Sequence, residues 1–172
     1  WQGALEARGV AAAPIVMTSS EPHPTAGDWL GVWFAKNIGR TDNSWPDVMA
    51  PSILEHAVVE YGGRCCGEPE ANVSGDGGGI VAGTYGEDLQ GRPIRQITLR
   101  DVRLQNNALR GLDGLANYRA AGPPTLVLER VTFEVNAGTS ARIDIATAPK
   151  LGGSPPETVE ISGWVSADVA LP

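Results

Sequence analysis

An all-β fold of stacked coils is the fold class that the sequence predicts, and three observations predict it. The chain of 172 residues contains 22 Gly and 13 Pro, a content typical of many short strands joined by turns. Four segments share one hydrophobic pattern, which indicates an internal repeat. No apolar run approaches the roughly 20 residues of a membrane helix, so the 42% of hydrophobic residues can fill the core of a single domain spanning residues 1–172.

The repeat consists of four segments that align without gaps. They are Leu54–Tyr61, Leu99–Asn106, Leu128–Val135 and Ile161–Asp168, and their starts are 45, 29 and 33 residues apart. Apolar residues alternate along most of each segment, as in a strand with one buried face. The alternation in the first three segments predicts that these side chains point inward: Ala57, Val59, Tyr61, Val102, Leu104, Val131, Phe133 and Val135.

A bend interrupts each segment near its start. Leu54, Leu99 and Leu128 break the alternation by one residue, so the backbone must turn between them and the following strand. Asp, His and Gly are among the residues that best tolerate a left-handed conformation. We therefore predict a sharp corner between two short strands at His56, Asp101, Arg130 and Gly163.

Shorter strands and long loops account for the remaining sequence. Residues 13–18 and 29–35 are predicted as strands because they are rich in β-branched and aromatic residues. Loops are predicted where turn-forming residues cluster, at 20–28, 36–51, 64–92 and 106–124. Within the last of these, residues 108–121 are alternatively a short helix.

Three stretches carry a resemblance to a known group of proteins: Ala13–Ser19, Gly27–Val32 and Ser52–Gly63. Over residues 1–63 the chain resembles bacterial right-handed β-helix repeat proteins, which are often secreted or lipid-anchored. The resemblance implies a right-handed parallel β-helix, and the repeat indicates a solenoid of about six coils with long lateral loops. The resemblance also implies an extracytoplasmic location, secreted or on the cell surface. It does not identify any catalytic residue in this chain.

The charge of the chain restricts its partners. The net charge is -7 and only two lysines occur, Lys36 and Lys150. Nucleic acid and anionic membrane surfaces both require clustered cations, so neither is predicted as a partner, and no membrane insertion is expected. The chain begins at Trp1 without an initiator methionine or a secretory signal, so we expect it to be a processed piece of a longer protein.

No catalytic residue, metal site or cofactor is predicted. Glycoside hydrolysis needs two carboxylates across the scissile bond, and the Asn-x-Asp, Asp-Asp and Gly-His-Gly motifs of polygalacturonase-like enzymes are absent. His23 and His56 lack a paired ligand at zinc spacing. The outward carboxylates Asp101, Glu134 and Asp144 are interpreted as a solvated face, and oxygen ligands in the acidic loops leave calcium as an alternative.

Cys65 and Cys66 are the only cysteines, and they are adjacent in the sequence. Neighbouring α-carbons lie about 3.8 Å apart, below the usual disulfide range of roughly 4.4–6.8 Å. A disulfide between them would be strained and comparatively easy to reduce. The sequence leaves this strained disulfide, two free thiols and bonds to another chain as alternatives.

The predicted function is that of a non-catalytic extracytoplasmic module that binds a glycan or another envelope protein through its lateral loops at 20–28, 36–51 and 64–92. Trp29 is predicted to pack in the core, whereas Trp45 lies beside Pro46 in a loop and can stack on a sugar ring. The predicted ligand-binding residues are Trp45, Asp42, Asn43, Asp76 and Asp88. The alternatives are a carbohydrate-active enzyme, a polysaccharide lyase or hydrolase, and a purely structural solenoid segment.

Overall fold

The computed structural model of the chain describes residues 4–36, 51–63, 77–84, 96–116, 126–144 and 159–162. Within these ranges the chain forms eleven strands and no helix. In chain order the strands are β1 (Glu6–Arg8), β2 (Ile15–Met17), β3 (Val32–Lys36), β4 (Ser52–Glu60), β5 (Ile80–Thr84), β6 (Ile97–Gln105), β7 (Leu112–Ala116), β8 (Leu126–Glu129), β9 (Thr132–Glu134), β10 (Ala141–Asp144) and β11 (Val159–Ser162). No helix in these ranges has the length and hydrophobicity that crossing a membrane requires.

The strands form two sheets, and every pair of neighbouring strands in them is parallel. The first sheet has the order β1-β4-β6-β8, with β2 beside the second half of β4 and β9 beside the second half of β6. The second sheet has the order β11-β10-β7-β5-β3. From β1 to β10 the chain alternates between the two sheets. Each time it returns to a sheet, the new strand pairs in parallel with the strand that the chain formed there before. The fold is therefore all-β with parallel sheets, as predicted.

The register of the first sheet follows the alignment of the first three segments. Leu54 pairs with Leu99 and Leu99 pairs with Leu128, so equivalent residues are direct neighbours on adjacent strands. Stacking equivalent apolar residues keeps one face of every strand buried, whereas a slip of one residue would turn that face outward.

The predicted corners at His56, Asp101 and Arg130 are confirmed. These residues have positive φ angles of 45°, 52° and 53°, in the left-handed region that non-glycine residues rarely occupy. A second row of left-handed residues lies five positions further along each segment, at Tyr61, Asn106 and Val135, with φ angles of 59°, 54° and 50°. The sequence did not predict this second row, and Gly163 lies outside the described residues.

Side chains from both sheets share one hydrophobic core. Burial of a Leu, Ile or Val side chain stabilises the fold by ~1.5–3 kcal/mol. The core contains Leu54, Ala57 and Val59 of β4, their counterparts Leu99, Val102 and Leu104 of β6, and Ile80, Leu112 and Ile143 of the second sheet. The predicted inward direction is thus confirmed for the residues between the two corner rows of β4 and β6.

Two of the predicted core residues are not in the core. Val135 is 85% exposed, and Tyr61 is only half-buried. Both lie in the second corner row, where the left-handed backbone changes the strand direction and ends the inward-outward alternation. Phe133, two residues before this corner, packs against the core but stays half-buried.

Three further predictions about the elements are corrected. Ile161 does not continue the stack of Leu54, Leu99 and Leu128, because Val159–Ser162 pairs with Ala141–Asp144 in the second sheet. Residues 112–116 form β7 rather than a loop or a helix. Strand β5 lies inside the predicted loop at 64–92.

Candidate functional site

A polar surface lies where β4, β6 and β9 end at the second corner row. We call it the corner surface and define it by Glu60, Tyr61, Gln105, Asn106, Glu134 and Val135. Gln105 pairs in register with Glu60 on one side and Glu134 on the other. Its Nε2 donates a hydrogen bond to the Glu60 carboxylate, whereas Glu134 is exposed. Neighbouring strands are roughly 4.7–4.9 Å apart, so these side chains form a row with a fixed spacing.

Two asparagines, the buried Asn107 and the half-buried Asn136, support the corner surface from the core side. Asn107 is fully buried, and its Oδ1 accepts a hydrogen bond of 2.9 Å from the backbone N–H of Gly62. Its Nδ2 donates to Asn136 Oδ1 at 2.9 Å and to the Val59 carbonyl at 3.3 Å. Asn136 in turn donates to the Leu104 carbonyl at 3.0 Å. These bonds satisfy backbone N–H and C=O groups near the second corner row, where the regular hydrogen bonding of the sheet ends. A buried backbone group left without a partner would cost about 1–3 kcal/mol.

The asparagine pair is a feature that sequence reasoning missed. Gly62, Asn107 and Asn136 follow the second corner row with the same spacings of 45 and 29 residues as the aligned segments. This repeated spacing was the signal in the sequence from which the asparagine pair could have been predicted. Gly79 packs against the pair, and a Cβ at that position would lie 2.7 Å from the Asn107 side chain.

A lateral loop, Ser19–Asp28, lies beside the corner surface and is closed by the carboxylate of Asp28. Asp28 Oδ2 accepts hydrogen bonds from Ser19 Oγ at 2.7 Å and from the Thr25 backbone N–H at 2.9 Å. Asp28 Oδ1 accepts a third from Thr25 Oγ1 at 2.6 Å. One side chain therefore fixes both ends of the loop, in the way that Asp commonly orders turns.

Two contacts attach the lateral loop to the corner surface. The Gly27 N–H donates to the Tyr61 carbonyl at 3.0 Å, and Trp29 Nε1 donates to the Glu60 carbonyl at 2.8 Å. Trp29 packs against the core and is half-buried. The predicted core position of Trp29 is therefore confirmed, with a second role as an anchor for the loop.

The tip of the lateral loop is exposed. It contains Glu21, Pro22, His23 and Pro24. Proline fixes φ near −65°, so the two prolines restrict the backbone on either side of His23. The loop thus presents a pre-ordered polar tip next to the corner surface.

Charged side chains that pair with one another cover the other half of the first sheet. Arg8, Glu55, Arg100 and Glu129 occupy equivalent positions on β1, β4, β6 and β8, and we call this row the charge ladder. Arg100 lies 3.2 Å from Glu55 and 2.6 Å from Glu129, and Arg8 lies 3.0 Å from Glu55. Hydrogen bonds from Arg100 lower the pKa of both Glu55 and Glu129.

The first corner row carries a further ion pair. Arg130 contacts Asp101 through two hydrogen bonds, with Nη2 at 2.7 Å from Oδ2, and this contact lowers the pKa of Asp101. His56 Nδ1 lies 3.8 Å from Asp101, too far for a hydrogen bond. Asp101 is therefore held by Arg130 and is not simply solvated as predicted.

A buried carboxylate links the strands of the second sheet. Asp113 of β7 is fully buried and pairs with Arg142 of β10 through bonds of 2.9 and 2.7 Å. Its Oδ2 also accepts from the Gly77 N–H at 3.1 Å. A buried bidentate pair of this kind compensates the desolvation of both charges, so the contact fixes the positions of three chain segments.

The predicted ligand-binding residues Trp45, Asp42, Asn43, Asp76 and Asp88 lie outside the described residues, and so do Cys65 and Cys66. Glu134 is exposed as predicted, whereas the side chain of Asp144 lies outside the described residues. In the described ranges no three His, Cys, Asp or Glu side chains are grouped to hold a metal ion.

Comparison of the chain with protein-family models, curated proteins and solved structures found no match.

Proposed function

We propose that this chain is a right-handed parallel β-helix that binds a glycan without cleaving it, through the corner surface and the lateral loop. The observation that carries the proposal is the row of Glu60, Gln105 and Glu134, which is held at strand spacing next to a pre-ordered loop and is followed at the corner by Tyr61. The same proposal includes the predicted ligand-binding residues Trp45, Asp42, Asn43, Asp76 and Asp88.

The β-helix is supported by the connectivity of the two sheets. Parallel neighbouring strands need crossover connections, and crossovers between parallel strands of one sheet are right-handed in about 98% of cases. The second sheet contains five strands, which is close to the number of coils expected from the sequence. An extracytoplasmic location is supported by the resemblance of residues 1–63 to secreted and lipid-anchored β-helix proteins.

The chemistry of the corner surface suits sugar hydroxyls. A hydroxyl both donates and accepts, and the amides of Gln105 and Asn106 and the carboxylates of Glu60 and Glu134 offer both kinds of partner. Tyr61 adds an amphipathic ring of the kind that packs on apolar faces and still reaches water. Because Asp28 already orders the lateral loop, binding costs little further loop entropy.

The carboxylates of the charge ladder and the first corner row lie outside the corner surface, and their ion pairs with arginine disfavour them as general acids. A general acid for glycoside hydrolysis needs a raised pKa. The pKa values of Glu55, Glu129 and Asp101 are instead lowered by hydrogen bonds from arginines. These three groups are therefore suited to holding the surface together and not to donating a proton at neutral pH.

Hydrolysis is the second candidate function, and one observation favours it. Glu60 and Glu134 lie on either side of Gln105, so two strand spacings of roughly 4.7–4.9 Å separate their backbones. Inverting glycosidases place their two carboxyl groups about 6.5–9.5 Å apart. The two backbones are thus about 9.4–9.8 Å apart, a spacing from which the side chains can bring their carboxyl groups into this range, and a test for binding must therefore also monitor cleavage.

The test is a calorimetric screen of the full chain against glycans and polysaccharides, run once with calcium and once with a chelator. Each mixture is also analysed for shortened products. We expect binding to at least one glycan, without new chain ends and without dependence on calcium. Cleavage products would replace the proposal with the hydrolase or lyase alternative. An absence of heat with every glycan would contradict glycan binding and favour a protein partner or a structural segment.

A further inference from the structure

The two ends of the first sheet differ in how well their inward side chains are covered. At the β8–β9 end, Leu126, Leu128 and Val131 are 1%, 5% and 2% exposed. At the β1–β2 end, the inward apolar side chains pack against the core but are only half-buried: Leu5, Ala7, Ile15 and Met17. Apolar surface is thus left uncovered at the β1–β2 end.

Strand β1 also has backbone groups directed away from its neighbour. Leu5 accepts from the Ile53 N–H at 2.8 Å, and the Gly9 N–H donates to the Glu55 carbonyl at 2.8 Å. Because alternate residues of a parallel strand bond to the same neighbour, Leu5, Ala7 and Gly9 face β4. Glu6 and Arg8 therefore direct their N–H and C=O groups to the opposite side, where no described strand pairs with β1.

We propose that β1 pairs antiparallel with β1 of a second copy of this chain, around a two-fold axis at Ala7. In this arrangement Glu6 lies directly opposite the partner's Arg8, and Arg8 lies opposite the partner's Glu6. The residues with outward-directed backbone groups thus form the hydrogen-bonded pairs of an antiparallel ladder. Within one chain the side chains of Glu6 and Arg8 project on the same face of β1 and contact each other at 2.9 Å. In the dimer each of them also faces the opposite charge of the partner across the axis, which stabilises a strand pair.

The same two charges select against other ways of pairing. A parallel, in-register addition of a second β1 would place Glu6 against Glu6 and Arg8 against Arg8, and like charges directly opposite each other are destabilising. Addition of the second copy to the β8–β9 end would find Leu126, Leu128 and Val131 already buried and Phe133 half-buried, so less apolar surface would be covered there. The pairing therefore closes as a two-fold dimer and does not extend into a fibre.

The dimer also covers apolar surface at the β1–β2 end. Ala7, at the axis, faces the core side of the sheet and is half-buried in the single chain. In the dimer it approaches the partner's Ala7, and such a small side chain allows the two strands to come together. This inference is independent of the glycan-binding proposal, because β1 lies in the half of the first sheet that is remote from the corner surface.

The test measures the mass of the full chain in solution by light scattering and sedimentation at increasing protein concentration. We expect the wild-type mass to rise from 18.0 kDa toward twice that value. The variants Glu6→Arg and Arg8→Glu each place like charges across the axis, so each alone should remain at 18.0 kDa over the same range. An equimolar mixture of the two restores opposite charges and should dimerise at least as well as the wild type.

A matched control is Arg103→Glu, which makes the same charge change on an exposed outward side chain of β6, a strand paired on both sides. This control should dimerise like the wild type. Glu6 is 70% exposed, so Glu6→Arg leaves the fold intact, and thermal unfolding of each variant verifies this. A wild type that stays at 18.0 kDa, a Glu6→Arg variant that dimerises normally, or a mixture that remains monomeric would each overturn the proposal.

Discussion

Left-handed residues at the two corner rows determine where the strands of the first sheet change direction. His56, Asp101 and Asn106 belong to residue types that tolerate this conformation, because short polar side chains can bond to the local backbone. Valine, which occupies position 135, is not one of these residue types. A left-handed conformation costs roughly 1–2 kcal/mol for an ordinary L-residue, and a β-branched side chain is a clear exception there. Val135 is also 85% exposed, so burial offsets little of this cost.

Replacement of Val135 by asparagine should therefore stabilise the protein. We expect Val135→Asn to raise the free energy of unfolding by ~1 kcal/mol and the Tm by roughly 2–4 °C. Thermal and urea unfolding measure the change. The reverse substitution at the corner that follows β6, Asn106→Val, is the control and should destabilise by a similar amount. A loss of stability in Val135→Asn would show that the valine side chain makes a contact that outweighs the backbone cost.

The buried amide of Asn107 is the residue on which the second corner row depends most. Asn107→Leu removes the acceptor for the Gly62 N–H and the donor to Asn136 and Val59. Unpaired buried groups cost about 1–3 kcal/mol each, so urea unfolding should show a loss of ~3 kcal/mol or more. The exposed variant Arg103→Ala should change stability by less than about 0.5 kcal/mol. Equal effects of the two substitutions would contradict the role of the asparagine pair.

At the scale of the elements, the charge ladder links β1, β4, β6 and β8 by ion pairs between equivalent residues. The folded-state pKa values of Glu55 and Glu129 lie below their ordinary value of 4.5. The ladder therefore stabilises the fold at pH values above the pKa that these two glutamates have in the unfolded chain. This contribution is lost as the pH falls through the lowered pKa values of the folded state.

The variant Arg100→Gln should flatten this dependence of stability on pH. We expect the urea midpoint of the wild type to fall more steeply than that of Arg100→Gln as the pH decreases below about 5, because Arg100 is the main cause of both lowered pKa values. Salt at about 1 M should reduce the difference between the two proteins, since exposed pairs are screened. Arg103→Gln is the matched control and should retain the wild-type slope. If the urea midpoint changed with pH at the same rate in all three proteins, the charge ladder would not contribute to stability.

The elements also show how far the sequence predicts this fold. The first corner row was predictable because a polar residue interrupts an apolar pattern at the same place in three segments. Strands β5 and β7 were predicted as parts of loops, because they are short and lie among glycines, so their burial depends on contacts with the opposite sheet. The segment at Ile161 matches the repeat in pattern but pairs in the second sheet, since alternation alone does not specify which sheet a strand joins.

The candidate site was harder to predict than the fold. Glu60, Gln105 and Glu134 are ordinary polar residues at the outward positions of their strands. Only the register of β4, β6 and β9 brings them into one row. The lateral loop was predicted from its composition, but the closure of its ends by Asp28 depends on geometry that the sequence pattern does not contain.

At the scale of the whole molecule, the two sheets enclose one core and leave distinct surfaces for distinct roles. The charge ladder and the first corner row satisfy their own charges across the first sheet. The corner surface and the lateral loop carry the polar groups to which we assign glycan binding. The β1–β2 end carries the half-buried apolar side chains that a second copy would cover. The proposed glycan binding and the proposed self-association are therefore expected to be separable by mutation.

Glycan binding at the corner surface is tested most directly by a pair of matched substitutions in β4 and the corner that follows it. Tyr61→Asn and His56→Asn each place asparagine at a left-handed corner residue, so both preserve the backbone, but only the first removes a side chain of the corner surface. The measurement is calorimetric affinity for each glycan that binds the wild type. We predict a loss of about tenfold or more for Tyr61→Asn, equivalent to ~1.4 kcal/mol, and unchanged affinity for His56→Asn. Equal affinities for the wild type and both variants would show that the glycan binds elsewhere on the molecule.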